Sequence, residues 1–190
     1  KGQPTVIYAT PTLLKLIYKN DSIYPIVRKI FIGGGVFNEA DRMFCNHRFP
    51  NAEIKVFYGT AETSFITVSD DKTPPNSVGR AYEGVEIEIK NEAVFIKSPM
   101  IAENYLDNQI LMDVNIYFPT GELGRVDNNG FLFLKGRLDR AVNISDKIIY
   151  LDVLEDDLLS LPGIEYAAVI ALPNLKRGQK VFAAVYGNNA

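Results

Sequence analysis

The stretch KVFYGTAETSF, Lys55 to Phe65, sets one acid, Glu62, among the hydroxyls of Thr60, Thr63 and Ser64. It follows a β-branched and aromatic run that meets Gly59 just after Tyr58. A strand that stops at a glycine and hands over to small hydroxyl residues opens a turn whose backbone N–H groups can face an anion. A carboxylate in such a turn is the hard oxygen ligand that suits a cation on phosphates. The bland alternative is equally concrete: the polar end of a buried strand, with an acid that caps a helix or faces water. A second cluster, Gly33, Gly34 and Gly35 after the apolar KIFI, reads by itself as a strand-ending turn. Arg137 reads by itself as half of a surface ion pair. His47, the only histidine, and Cys45, the only cysteine, lie on one helical stretch. The first reads as solvated or packed and the second as core.

Strands and helices must place these residues. TVIYAT (5–10) is predicted as a buried strand, and PTLLKLIYKN (11–20) as a helix with Leu13, Leu14 and Ile17 on one face. RKIFIGGG (28–35) ends a second strand on glycines. NEADRMFCNHRF (38–49) is a helix capped by Asn38, and EIKVFY (53–58) a third strand. Such alternation predicts a parallel α/β sheet whose crevices lie at the carboxyl ends of its strands. After the proline-containing DDKTPPNS (70–77) the texture becomes short strands: VEIEIK, AVFIKS, and a hairpin through Asn129–Gly130. Beyond Gly136, AVNISDKIIYL reads as an extended pair and DVLEDDLLSL as a helix with a solvated acidic face. YAAVIALP and KVFAAVYG read as two apolar strands. The predicted organisation is an α/β part of a large domain (1–75), a β-rich subdomain of it (76–138), and a partial small α+β domain (139–190).

The bulk numbers narrow the classes. The chain has 190 residues, 47% hydrophobic and 23% charged, a globular balance. A net charge of −3 and a pI near 5.3 carry no footprint for nucleic acid. No apolar run reaches the length of a membrane span, and KGQPTVIYATP has none of the regions of a signal peptide. A lone cysteine suits a reducing compartment, so the expected location is cytoplasmic.

In combination the motifs resemble the adenylate-forming (AMP-binding) acyl-CoA synthetase superfamily, which includes luciferases and peptide-synthetase adenylation domains. The pieces stand in the family's order along nearly the whole chain: IGGGVFNEADRMF, YGTAETSF, SVGRAYEGVEIEI, VFIKSPMIAENYL, PTGELGRVDNNGFLFLKGRLDR and LPGIEYAAVIALPN. Any one is weak; in register they are specific. The wording YGTAETSFIT is most similar to the medium- and long-chain fatty acid–CoA ligases. The resemblance implies an enzyme that activates a carboxylic acid with ATP and Mg²⁺ as an acyl-adenylate and passes the acyl group to CoA. The implied partners are therefore a small carboxylic acid and a nucleotide.

The resemblance also implies residue roles. Tyr58 would lie against the adenine, with Gly33, Gly34 and Gly35 on the base's other side, where a missing Cβ permits close approach. Gly59 and Thr60 belong to the same nucleotide site. Glu62 would hold Mg²⁺, Glu122 would accept from the ribose hydroxyls, and Arg137 would donate to ribose or phosphate. Asp139 would be the hinge, and Asn143 and Asp146 would line the thiol's passage. Four positions depart from the family pattern: Ala61 for threonine, Glu122 for aspartate, Asn143 for lysine and Asp146 for glycine. The phosphate loop and the C-terminal lysine of the family are absent from the sequence, so no catalytic residue is assigned. The chain is accordingly expected to be a fragment, inactive alone, with exposed surfaces through which it self-associates. The alternative is a non-catalytic relative or fragment that serves as a binding or structural module.

Overall fold

A computed structural model describes residues 4–18, 20–104, 117–144, 147–174 and 178–187. The chain divides into two compact units. The first comprises Lys1–Glu88, Phe95–Thr120 and Val126–Phe133; the second comprises Ile89–Val94, Gly121–Arg125 and Leu134–Ala190.

The first unit begins with β1 (Val6–Ala9), α1 (Pro11–Ile17), β2 (Lys29–Ile32), α2 (Glu39–Arg48) and β3 (Glu53–Thr60). The three strands are parallel, with Ile7 opposite Ile30 and Ile30 opposite Ile54. This is the arrangement that strand–helix alternation predicts. One face of the sheet supplies Ile7, Ile30, Ile32 and Ile54 to a core completed by Leu14, Val27, Cys45 and Phe49. Two caps fix the helices. The Thr10 hydroxyl accepts the Leu13 N–H at 3.2 Å. Asn38 and Asp41 form a reciprocal capping box, each side chain accepting the other's backbone N–H at 3.0 Å. Asp41 also meets Lys15 in an ion pair that ties α2 to α1.

One expectation for α1 fails. Leu14 is buried at 1% exposure, but Leu13 and Ile17 are 44% and 56% exposed. The helix is only two turns long, so its core contact is the pair Pro11 and Leu14 at i, i+3.

The sheet then changes sense. β4 (Ser64–Ser69) returns antiparallel to β3, and β5 (Gly79–Ala81) follows it. β6 (Glu86–Lys90), β7 (Ala93–Lys97), β8 (Phe118–Val126) and β9 (Phe131–Arg137) complete a strand order of β1-β2-β3-β4-β5-β9-β8-β7-β6. The predicted hairpin at Asn129–Gly130 joins β8 to β9. Gly130 takes φ of 81° there, and the Asp127 carboxylate accepts the Asn129 and Phe131 N–H groups, both at 2.9 Å.

The second unit carries a 3-10 turn (Leu138–Arg140), β10 (Ala141–Ile144), β11 (Lys147–Tyr150), α3 (Leu151–Leu159), β12 (Ile164–Asn174) and β13 (Gly178–Gly187). β10 pairs with β11, the extended pair expected from the sequence, and the two apolar strands β12 and β13 pair with each other, both pairs antiparallel. Leu151 and Val169 are buried. Among the described residues no helix is long and apolar enough to cross a membrane.

Candidate nucleotide site

In the first unit the glycine cluster leaves the carboxyl end of β2 beside that of β1. The Gly33 N–H donates to the Ala9 carbonyl at 3.3 Å, and Gly34 turns the chain at φ of 72°, a conformation glycine adopts without penalty. A Cβ on Gly35 would stand 3.3 Å from Pro11 Cδ, whereas one on Gly33 would meet Phe57, its carbonyl oxygen at 3.6 Å and its Cβ at 4.0 Å. Gly33 thus lies against Phe57, the residue before Tyr58.

Around Tyr58 the structure differs from the expectation in one respect. Gly59 does not end the strand. β3 continues through Gly59 to Thr60, and β4 folds straight back, pairing Gly59 with Phe65 and Thr60 with Ser64 across a bulge after Tyr58. The glycine is required by this hairpin, since a Cβ there would fall 1.7 Å from the Ser64 carbonyl oxygen. Ser64 itself adopts a positive φ of 58°. The turn is closed from within by Thr63, which is wholly buried. Its Oγ1 accepts the Thr60 N–H at 3.0 Å, lies 3.1 Å from the Thr60 hydroxyl and donates to the Ser64 carbonyl at 3.3 Å. Ala61 and Glu62 form the tip, Ala61 exposed and Glu62 half-buried. The Ala102 N–H donates to the Glu62 carbonyl at 2.8 Å. Among the described residues no three His, Cys, Asp or Glu side chains gather as a metal cage. A magnesium ion carried on nucleotide phosphates needs only one or two carboxylates, and Glu62 at the tip fits that demand.

A feature the motif reading missed is a run of rings on the strand face that alternates with the helix-covered one. Tyr8 stacks on Phe31 at 4.7 Å and Phe31 lies 6.0 Å from Phe57. Phe57 is 4.5 Å from Phe65 and 5.9 Å from Tyr82. The period-two alternation in KIFI and KVFY was the available signal.

In the second unit Glu122 lies half-buried on β8, just after Gly121 at φ of 76°. Burial raises its carboxyl above the usual range, the Arg137 charge opposes this, and Asp152 and Asp139 add to the rise. Arg137 closes β9 and grips Asp139 at two points, Nε to Oδ1 at 2.9 Å and one terminal nitrogen to Oδ2 at 3.1 Å. This contact, more than any other, holds Asp139 below the carboxylate range and Arg137 above the guanidinium range.

The acidic face of α3 is not simply solvated, as the sequence suggests. Arg140 reaches Asp152 Oδ1 through Nε at 2.8 Å and Glu155 Oε1 through a terminal nitrogen at 2.7 Å. Glu155 Oε1 also accepts the Val169 N–H at 2.6 Å. Asn143 is exposed on β10, and Asp146 lies outside the described residues. His47 is exposed. Cys45 is buried as expected, and burial with the nearby Asp41 carboxylate pushes its thiol to about 12.

Comparison with known proteins agrees with the fold and the motifs. The model of the AMP-binding enzyme family matches residues 1–106, and the chain belongs to that family. It is 30% identical over 189 residues to the putative long chain fatty acid-CoA ligase VraA of Staphylococcus haemolyticus, covering 96% of this chain and 41% of that protein. It is 32% identical over 200 residues to the 2-succinylbenzoate–CoA ligase of Lactococcus lactis, covering 98% and 42%. Its fold is that of the o-succinylbenzoate CoA synthetase (MenE) from Bacillus subtilis, whose structure holds the acyl-adenylate intermediate OSB-AMP. That superposition has a TM-score of 0.81 at 24% identity and covers 98% of this chain and 42% of that one. The chain therefore spans about two fifths of the length of these relatives.

Proposed function

We propose that this chain is the nucleotide-holding part of an ATP-dependent acid–thiol ligase. In the reaction of such an enzyme, a substrate carboxylate oxygen attacks the α-phosphorus of ATP and the bond to pyrophosphate breaks. A thiol, that of CoA, then attacks the acyl carbonyl and AMP leaves. The observation that carries the reading is the approach of Gly33 to Phe57, just before the Tyr58–Glu62 turn, at the carboxyl ends of parallel strands. Gly33, Gly34 and Gly35 offer backbone to one side of the adenine, Tyr58 offers a ring to the other, and Gly59 and Thr60 support the turn. Glu62 serves the magnesium ion, Glu122 the ribose hydroxyls and Arg137 the ribose or phosphate. Asp139 is the hinge, and Asn143 lines the thiol passage.

The ring run from Tyr8 to Tyr82 favours an acid with an apolar body; a fatty acid is one such substrate, and the relatives are named for a long chain fatty acid and for 2-succinylbenzoate. A reducing cytoplasm suits the buried Cys45. Apolar side chains left open, such as Tyr8 at 76% and Tyr166 at 69% exposure, favour self-association of the 190-residue chain.

The test is acid-dependent exchange of pyrophosphate into ATP by the protein in its complete form. Glu62→Gln should lower exchange by about a hundredfold, the scale of losing one charge-stabilising group. No exchange with any acid of a broad panel, together with no AMP binding, would end the reading. One observation favours a second reading, a binding module without catalysis. Ala61 supplies no hydroxyl at the turn tip, and the neighbouring Thr63 hydroxyl is spent inside the turn. AMP binding without exchange is what that reading expects.

A further inference from the structure

One carboxylate takes hold of both flanks of the 3-10 turn at 138–140. Asp152, in the first turn of α3, accepts the Arg137 backbone N–H on Oδ2 at 2.9 Å and Arg140 Nε on Oδ1 at 2.8 Å. Arg140 is further anchored by Glu155 at 2.7 Å and by the Val169 carbonyl at 3.1 Å. Gly136, at φ of 123°, brings the incoming backbone against this carboxylate. A Cβ there would already stand 3.4 Å from Asp152 Oδ2 and 3.5 Å from Tyr150 Cβ.

We propose that Asp152 is a positioning residue that latches the 138–140 turn, so that backbone rotation at Asp139 requires its release. The geometry supports this beyond the ordinary benefit of an acid at a helix start, which needs no partner outside the helix. Both oxygens of Asp152 are committed to groups 15 and 12 residues earlier in the chain. The two contacts flank the very residues whose φ and ψ a hinge would change. A side chain only 27% exposed keeps these bonds stronger than surface pairs. Breaking the latch frees the Arg137 amide and Arg140 Nε together, while Glu155 and the Val169 carbonyl keep the Arg140 terminal nitrogen. The consequence for catalysis rests on the ligase reading: where rotation at Asp139 separates adenylation from thiol transfer, Asp152 sets the balance between the two.

The experiment reads the turn itself. In the 190-residue chain, Asp152→Ala should speed hydrogen exchange of the Arg137 amide, and trypsin cleavage after Arg137, by about five- to tenfold, the scale of one lost hydrogen bond at a partly exposed site. Glu155→Gln loosens Arg140 but leaves the Arg137 bond, so the Arg137 amide should stay protected. Asp152→Asn retains an acceptor oxygen for that amide and loses the ion pair, so cleavage after Arg140 should rise while Arg137 exchange does not. Unchanged Arg137 exchange in Asp152→Ala would overturn the latch, as would an equal loss of protection throughout α3. If Asp152→Ala does not fold, unchanged cleavage after Arg140 in Asp152→Asn overturns it. These readouts need no turnover, so failure to exchange pyrophosphate would remove the ligase reading and leave the latch standing.

Discussion

Arg137 and Asp139, two residues apart, face each other in a two-point ion pair, Nε to Oδ1 at 2.9 Å and a terminal nitrogen to Oδ2 at 3.1 Å. The guanidinium proposed to meet the nucleotide is thereby occupied by a carboxylate of the same turn. Both side chains are well exposed, at 48% and 65%, so water and salt screen the pair and a ligand can displace it. Asp139→Asn should tighten AMP binding to the chain by about two- to threefold, the modest size expected for an exposed pair. Calorimetric titration measures it, and weaker binding in the variant would show that Asp139 orients Arg137 instead of competing for it.

Glu155 gives a pH signature. Burial pushes its carboxyl up, but the Val169 N–H and the Arg140 guanidinium outweigh that and leave it lowered. A carboxyl lowered in the folded state adds stability that is present above its unfolded pKa and lost as pH falls through the folded one. Glu155→Gln should therefore cost about 1–2 kcal/mol at neutral pH. The gap to the parent should close as the pH drops below the ordinary glutamate range. Denaturant melts across that range check it; a gap independent of pH would assign the contribution to packing.

Two glycines separate fold from site. Gly59→Ala places a methyl group 1.7 Å from the Ser64 carbonyl, a backbone conflict that should cost at least about 2–3 kcal/mol. Gly33→Ala meets nothing nearer than 3.6 Å and should change stability by no more than about 0.5 kcal/mol. If the base lies over Gly33, that same methyl should still weaken AMP by about tenfold, as loss of a close approach does. Melting curves and titrations on the two variants decide it. Full nucleotide affinity in Gly33→Ala would move the base elsewhere.

Cys45 is buried in the core and its thiol is pushed to about 12, so the reactive thiolate is scarce at neutral pH. Labelling by a thiol reagent should follow unfolding, rising with denaturant along the melting curve. Prompt labelling of the native chain would contradict the packing around α2.

The sequence by itself determined the elements whose causes are local. Runs of apolar, β-branched and aromatic residues set β1, β2 and β3. Asn38 with Asp41 wrote the capping box of α2, and Asn129–Gly130 wrote the β8–β9 turn, because each needs only residues a few positions apart. Its motifs also placed the chain in its family. The tertiary structure decided what depends on partners distant in sequence or brought round by a change of strand direction. KVFYG followed by small hydroxyl residues looked like a strand's end, yet the antiparallel return of β4 made Gly59 a ladder residue and buried Thr63. Leu13 and Ile17 share the apolar character of Leu14, but a two-turn helix presents only one narrow stripe to the sheet. Asp152 and Glu155 looked like solvated acids, while Arg140, the Arg137 amide and the Val169 amide, each 12 to 15 residues away, bind them. Local patterns encode backbone conformation through short-range sterics and hydrogen bonds; which polar atoms meet across the fold is fixed only when the chain closes on itself.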